Sequence, residues 1–572
     1  SGGINAGQIS KIDANMDGME DVFIFDRSGN KTMVFLNNGS GDPNSFEYSF
    51  AHSQSFPEMR NWALLRDYNC DGKRDIFTYN GIGGFRIYEN VSTESNPLQF
   101  VEIEDNLQSL FVFPSQSYYS NIFISSVDIP TIDDLDGDGD QDILVFSVSG
   151  VMIEYHQNHS VELTGSCDSL AFRLGNRCYG YFSESAFDNS ITLHDEAFHD
   201  QMCPDGYNVA NPSPIIERPN DIPFYEGGNT GLRHAGTSIL ALELNGQLPK
   251  EIVLGDVSNT NLTALTNSTT TSSRDSIIAQ DTAFPVNQEN TAAVHVTIFP
   301  AGFYEDMDND GARDLLVCPN NEWASENVSS VWYYKNLGED DEPDFELEQT
   351  NLFQQEMIEV GEGCAASFLD YNADGLMDMV IINKGRFVSP GVYYSSLALY
   401  ENTGSSTEPE FTHITDDFAE IGALGLGQGF HPTFGDWDGD GDMDMLVGTS
   451  SGKIYAFNNE AGSGNTVDFQ IADNAILKDV NGDDIDPGQF STPQLFDLNN
   501  DGLLDLVMGE RNGKVHFYKN TGTSSSPQFQ LENDFLGGIE TTEGFASTGY
   551  STVCFLDYDG TRYLITGREA GF

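Results

Sequence analysis

Basic residues are scarce in this chain. Twenty-five lysines and arginines stand against 90 aspartates and glutamates in 572 residues, for a formal net charge of −65. Nucleic-acid binding needs a basic surface, which excludes it as a natural partnership, and the same charge disfavours adsorption to anionic lipid. No apolar run approaches the ~20 residues of a membrane-spanning helix. No long stretch keeps a helical period, and there are only four tryptophans and seven cysteines. Familiar catalytic signatures are missing as well: no Gly-x-Ser-x-Gly elbow, no His-Glu-x-x-His, no Ser-x-Asp-x-Gly-x-Thr-Trp box. His295, His431 and His516 fall among strand residues and read as packing or surface groups.

What the chain does have is one nine-residue pattern, Asp-x-(Asp/Asn)-x-Asp-Gly-x-x-Asp, seven times over. The copies are Asp13-Asn15-Asp17-Gly18-Asp21, Asp67-Asn69-Asp71-Gly72-Asp75 and Asp134-Asp136-Asp138-Gly139-Asp142. Then come Asp306-Asp308-Asp310-Gly311-Asp314, Asp370-Asn372-Asp374-Gly375-Asp378, Asp436-Asp438-Asp440-Gly441-Asp444 and Asp497-Asn499-Asp501-Gly502-Asp505. Calcium takes six to eight oxygens at roughly 2.3–2.6 Å. Positions 1, 3, 5 and 9 supply side-chain oxygens at alternate places around a tight turn. Position 7 is expected to supply a backbone carbonyl, which leaves its identity free: Met19, Lys73, Asp140, Ala312, Leu376, Asp442 and Leu503. The invariant Gly at position 6 suits a positive φ. One such copy would read as an acidic surface turn; seven at matched spacing predict about seven structural calcium sites. An EF-hand is the wrong reading, because no helix follows and position 12 carries no Glu.

A strand follows each loop. Asp21 leads into Val22-Phe23-Ile24-Phe25 and Asp142 into Ile143-Leu144-Val145-Phe146, short apolar runs typical of buried strands. A third recurring segment alternates and is rich in aromatics: Phe85–Asn90, Val331–Asn336, Leu397–Asn402 and Val515–Asn520. The Asn-x-Gly that often ends it marks a turn. Most loop-to-loop intervals are about 55–67 residues, a spacing typical of propeller blades. The expected fold is all-β: a single β-propeller over 1–572, of eight blades, with seven or nine as alternatives.

Two units are degenerate. Around Glu243–Glu251 the flanking strands survive but the acids at positions 3 and 5 do not, and around Asp557-Tyr558-Asp559-Gly560 the later acids are missing. Both are expected to fold without a well-bound calcium. The last unit breaks off at Phe572, which suggests a native chain that continues. Residues 147–238 are too long for one unit and read as an elaborated blade or insertion. It holds Cys167, Cys178 and Cys203, with a disulfide expected between two of them and Cys178–Cys203 a suggested pair. It also holds His156, His159, His194 and His199, read as loop polarity in preference to a metal site. Cys70, Cys318, Cys364 and Cys554 read as free buried thiols, and the Thr/Ser-rich stretch 260–281 as a surface loop between blades.

With these residues in view, the chain resembles the FG-GAP/VCBS repeat family, the calcium-binding propeller of integrin α-subunits. Phe25–Lys31, Asp67–Lys73, His234–Thr237, Leu254–Val257 and Ala324–Val328 before Val331-Trp332 resemble large secreted proteins of Bacteroidetes. That resemblance implies export by the type IX secretion system. It also implies an extracellular or outer-surface location, where calcium is abundant. Ser1-Gly2-Gly3-Ile4 shows no signal peptide, as in a mature chain whose signal has been removed. The expected function is a binding, adhesion or display module for a protein or glycan ligand, with no membrane insertion. The alternatives are a lectin, with Trp323 its best platform, and a glycan-active enzyme; the latter is disfavoured because nearly all carboxylates sit in the metal motif.

Overall fold

A computed structural model describes residues 3–568, except 114–115, 149, 186–189, 194–235, 269–275, 287–290, 322–323, 356, 390 and 543–547. Nearly every element is a strand, and the strands form small antiparallel sheets. Where the sequence suggested one domain over 1–572, the chain divides into two compact units, Ser1–Ile358 and Glu359–Phe572.

Among the described residues, the first unit contains five large sheets. The first runs Gly7–Ile12, Asp21–Asp26, Lys31–Leu36 and Glu47–Tyr48, paired in chain order. The second (Ala63–Arg66 to Phe100–Glu104), the fourth (Thr237–Leu242 to Ile277–Asp281) and the fifth (Pro300–Glu305 to Phe345–Gln349) repeat that order. The third has six strands: Thr131–Asp133, Asp142–Phe146, Ile153–Gln157 and Arg173–Asn176, widened by the hairpin Gln108–Phe113/Gln116–Asn121. Arg173 pairs in parallel with Leu110 to join that hairpin on. The elaboration therefore begins before residue 147, a hairpin the sequence reading did not anticipate.

The second strands explain the core. Val22, Phe23, Ile24 and Phe25 are all fully buried, because both sheet faces are covered. Each such side chain contributes roughly 1.5–3 kcal/mol. The first strands present an unpaired backbone edge, which needs hydrogen-bond partners if it is buried. Small hydroxyl and amide side chains supply them. Ser10 Oγ accepts from Leu65 N–H at 3.1 Å, and Gln8 Oε1 accepts from Ala63 N–H at 2.8 Å. Thr131 Oγ1 donates to Ile239 O at 2.9 Å and Ser238 Oγ to Pro300 O at 2.8 Å. Gln8 Nε2 reaches Asn320 Oδ1 at 3.4 Å and Gln354 Nε2 reaches Ile4 O at 3.2 Å, so the fifth sheet returns to the first.

Among its described residues the second unit holds three four-stranded sheets: Ala365–Leu369 to Phe411–Thr415, His431–Gly435 to Phe469–Ile476, and Thr492–Phe496 to Phe529–Asn533. A two-stranded hairpin, Thr552–Tyr558/Thr561–Gly567, follows. The same device recurs: Leu495 N–H donates to Thr433 Oγ1 at 3.1 Å, and Thr492 Oγ1 to Ser551 O at 3.0 Å. Phe496 stacks on Phe555 with centroids 4.4 Å apart, packing the hairpin on the third sheet.

Several sequence expectations change. Cys70 is not a free thiol: it forms a disulfide with Cys167, 97 residues away. Cys178 is also disulfide-bonded, and Cys203, its suggested partner, lies outside the described residues. Cys318 is free and buried as expected, whereas Cys364 and Cys554 are free but exposed. His156 is no loop residue; it is fully buried on the strand Ile153–Gln157, edge-on to Phe111. His194 and His199 lie outside the described residues. Most of the described part of the 260–281 stretch is strand, Leu262–Asn267 and Ile277–Asp281, not surface loop.

Candidate metal centres

Each Asp motif occupies the turn between the first and second strands of a sheet. The register is the same in every copy. The residue before position 1 pairs with position 9: Ile12 with Asp21, Arg66 with Asp75, Asp133 with Asp142 and Glu305 with Asp314. Leu369 with Asp378, Gly435 with Asp444 and Phe496 with Asp505 follow suit. The Gly at position 6 has φ between +85° and +101° throughout, as its invariance suggested. Position 4 is left-handed as well, at Met16, Cys70, Gly137, Asn309, Ala373, Gly439 and Asn500. Sequence reasoning passed over that position because its residue type varies.

Position 1 organises the turn. Asp13 accepts the N–H of Asp17 (3.0 Å) and Gly18 (2.9 Å), and Asp370 accepts those of Asp374 (3.0 Å) and Gly375 (2.9 Å). Where position 3 is Asp, the first of these bonds moves back one residue. Gly137, Asn309 and Gly439 donate to Asp134, Asp306 and Asp436 at 2.7 Å each. The N–H of position 7 donates to position 5 in every copy, as in Met19 to Asp17, Lys73 to Asp71, Leu376 to Asp374 and Leu503 to Asp501.

Position 9 does something the motif alone does not reveal. Its carboxylate is buried and bridges two backbone groups. One oxygen accepts the N–H of position 2; the other accepts the N–H of the Asn that ends the third strand. Asp21 accepts from Ala14 and Asn37, Asp75 from Tyr68 and Asn90, and Asp142 from Leu135 and Asn158, at 2.7–3.2 Å. Asp314, Asp378, Asp444 and Asp505 do the same with Asn336, Asn402, Asn459 and Asn520. The Asn side chain completes the latch. Asn336 Nδ2 donates to Arg313 O at 3.1 Å, and its Oδ1 accepts from Gly338 and Asp344 N–H at 2.9 Å each. The sequence pointed to this Asn only as a turn former. The degenerate unit keeps the latch with Glu251, which accepts from Leu244 N–H at 3.0 Å, while Asn267 Nδ2 donates to Lys250 O at 2.9 Å.

Convergence of acids separates the loops. Carboxylate oxygens of Asp134, Asp136 and Asp142 lie within 4.8 Å of one another, as do those of Asp306, Asp308 and Asp314, and those of Asp436, Asp438 and Asp444. These are the loops with Asp at position 3. In loops carrying Asn15 or Asn372 the amide instead donates to the carboxylate of position 5, Asp17 (2.9 Å) or Asp374 (3.0 Å). Asn499 donates to Asp505 at 3.0 Å. No comparable triad of His, Cys, Asp or Glu includes Asp13, Asp67, Asp370 or Asp497 among the described residues.

The donor set fits a hard cation. All side-chain donors are oxygens, the choice of calcium and magnesium. In the 134–142 loop Asp138 Oδ2 and Asp140 Oδ1 are buried with no hydrogen-bond donor, a costly state for a carboxylate oxygen unless positive charge faces it. Burial pushes the carboxyl of Asp142 up to about 9 and those of Asp75, Asp314 and Asp444 to about 7, with neighbouring loop carboxylates adding to the rise. A bound cation would reverse that balance. Partly exposed lysines pair with other acids of the loops: Lys73 Nζ lies 2.9 Å from Asp71, Lys519 Nζ 3.8 Å from Asp501, and Lys335 contacts Asp308.

The first unit also contains a cavity of about 150 Å³ between first strands, bordered by Arg66, Ile132, Asp133, Tyr304, Glu305 and Arg313. Its ionisable groups are paired. Arg66 bonds Glu305 at 3.2 Å and Ile132 O at 2.9 Å; Arg313 clasps Asp340; Lys250 reaches Asp133 at 2.7 Å.

Residues 370–447 match the family model described as an FG-GAP-like repeat. They run from Asp370 through the strand Asp444–Gly448 as far as Val447, and so include two of the seven loops. No curated protein matches the chain. Among solved structures, one is an Agrocybe aegerita lectin, described as showing specific recognition of non-reducing terminal N-acetylglucosamine. It is 13% identical, with a TM-score of 0.24, covering 73% of this chain and 82% of that one. BBS1N in complex with ARL6DN is 9% identical, with a TM-score of 0.18, covering 78% and 90%. At those scores neither likeness carries an argument about this chain.

Proposed function

We propose that this protein is an exported, calcium-stabilised propeller scaffold that acts as a binding, adhesion or display module. The observation that carries the reading is the motif loop itself, repeated with one register, its acids converging in three copies and some of their buried oxygens lacking donors. On this reading the large sheets are blades, five of them in the first unit. Cations of the loops are structural: Asp, Asn and backbone oxygens hold them, and they tie the first strand of a blade to the second. Calcium neutralises the crowded carboxylates when bound, coupling folding to external calcium.

Ligand recognition then belongs to the loops grafted on this frame. The ligand class is protein or glycan at the cell surface; the net charge disfavours nucleic acid. Ion pairing of the acids and bases around the cavity supports a scaffold over an enzyme. The Bacteroidetes resemblance extends the reading to a type IX secretion cargo. Trp323, the candidate sugar platform, lies outside the described residues.

A glycan and matrix-protein binding array in millimolar calcium and in chelator tests this. Calcium-dependent capture of one ligand class is the expected result. A folded sample that captures nothing in either condition would overturn the binding-module reading.

A further inference from the structure

The 134–142 loop differs from the other six in what surrounds it. In five copies position 7 is Met, Lys, Ala or Leu; here it is Asp140, and only the 436–444 loop shares an Asp there. Asp140 is fully buried. Its Oδ2 accepts the N–H of Val161 at 3.1 Å, and its Oδ1 has no donor at all. Asp138 Oδ2 is likewise buried without a partner. Asp138 is position 5 and serves the motif site, but Asp140 is position 7, whose side chain that site does not use.

A second convergence of acids lies beside the first. Oxygens of Asp136, Asp138 and Glu162 approach within 4.8 Å of one another. Glu162 is outside the nine-residue motif. It sits on the short helix Ser160–Thr164, which this sheet carries between its third and fourth strands. Asp140 is tied to the same helix, since the N–H it accepts belongs to Val161, the residue before Glu162. Gln157 Nε2 bridges Asp136 (2.6 Å) and Glu162 (3.3 Å), which marks a point between them where positive charge is stabilised. His159 Nδ1 lies 3.2 Å from the same glutamate. Four carboxylates this close repel one another unless a cation or protons intervene.

The covalent frame keeps Glu162 there. Cys167, shortly after the helix, is bonded to Cys70, which is position 4 of the neighbouring 67–75 loop. Cys70 Sγ lies 3.6 Å from Gly139 O, inside the 134–142 loop. The helix segment is thus pinned against two adjacent Asp loops by one bridge.

We propose that Asp136, Asp138, Asp140 and Glu162 form a second divalent-cation site in this loop, sharing Asp136 and Asp138 with the motif site. All its donors are carboxylate oxygens, so calcium is the fitting class. The proposal extends the calcium reading of the motif loops, and the test separates the two.

Native mass spectrometry of the full chain with calcium alone counts bound ions. The substitutions are Glu162→Gln, at an exposed position, and Asp140→Asn, which keeps an acceptor for Val161; circular dichroism checks that each folds. Each variant is expected to bind one ion fewer than the wild type at saturation, with the remaining ions retained. Unchanged stoichiometry in both folded variants would overturn the second site and leave the motif reading standing. A wild type that holds no more than one ion per motif loop, losing one in each variant, would show that these residues serve the motif site and would overturn its distinctness. A wild type that binds no calcium would overturn both readings.

Discussion

The carboxylate of Asp444 accepts the backbone N–H of Asn459 at 2.9 Å, fifteen residues further along at the end of the next strand. Its other oxygen accepts Trp437 N–H at 3.2 Å. Asn459 in turn accepts from Ala461 and Asp468 N–H at 3.1 and 3.0 Å. One aspartate therefore fastens the Asp loop to the end of the third strand. The latch persists at Glu251, where most of the metal positions are gone, so it is a property of the sheet and not of the cation.

Asp444→Ala leaves two N–H groups without their carboxylate in a dry place. A loss of about 3 kcal/mol in unfolding free energy is expected in chelator, and a larger one in calcium, where a cation ligand is lost as well. Denaturant titration in both conditions checks this. A loss confined to calcium would show that Asp444 acts through the metal alone.

Asn336→Ala removes the donor to Arg313 O and the acceptor for Gly338 and Asp344 without touching a motif acid. We expect a loss of about 2 kcal/mol, again insensitive to calcium. Wild-type stability in this variant would reduce the Asn to a turn preference.

The latch also shows what could be read from the chain beforehand. Loops, their following strands and the aromatic third strands were legible, because each is a local pattern with its own period. The Asn at the end of the third strand was visible too, but its partner is 15 to 24 residues away and is chosen by sheet register. Cys70–Cys167 was not legible: the two meet only because neighbouring sheets bring position 4 of one loop beside the helix of the next. His156 sits in a polar run, His156-Gln157-Asn158-His159, yet the Gln108–Asn121 hairpin widens the sheet over it and buries it. The division at residue 358 left no mark in the repeat, since the motif continues across it at nearly the same interval.

The disulfide closes a segment of 97 residues. Replacing both Cys70 and Cys167 by Ser should lower stability by about 2–5 kcal/mol. Urea unfolding of the double variant measures it. An unchanged midpoint would mean that the intervening sheets already hold these residues together.

The buried carboxyls set a pH dependence. Asp75, Asp314 and Asp444 have folded pKa values of about 7, raised chiefly by burial, against about 4 when unfolded. The folded state therefore binds more protons in that window. Its contribution to stability is complete below about pH 4 and is lost as pH rises through about 7. Calcium replaces those protons. Metal-free protein should melt at a lower temperature at about pH 8 than at about pH 5.5, and millimolar calcium should remove or reverse the trend. Calorimetry at the two pH values decides it; parallel trends with and without calcium would contradict the linkage.

The central claim is that the Asp loops hold structural calcium, and Asp438 tests it most directly. It is a motif acid that converges with Asp436 and Asp444 but lies outside the backbone latch. Thermal melts of Asp438→Ala and wild type, each in millimolar calcium and in chelator, should differ in calcium and coincide in chelator. Equal shifts in the two conditions would contradict the claim.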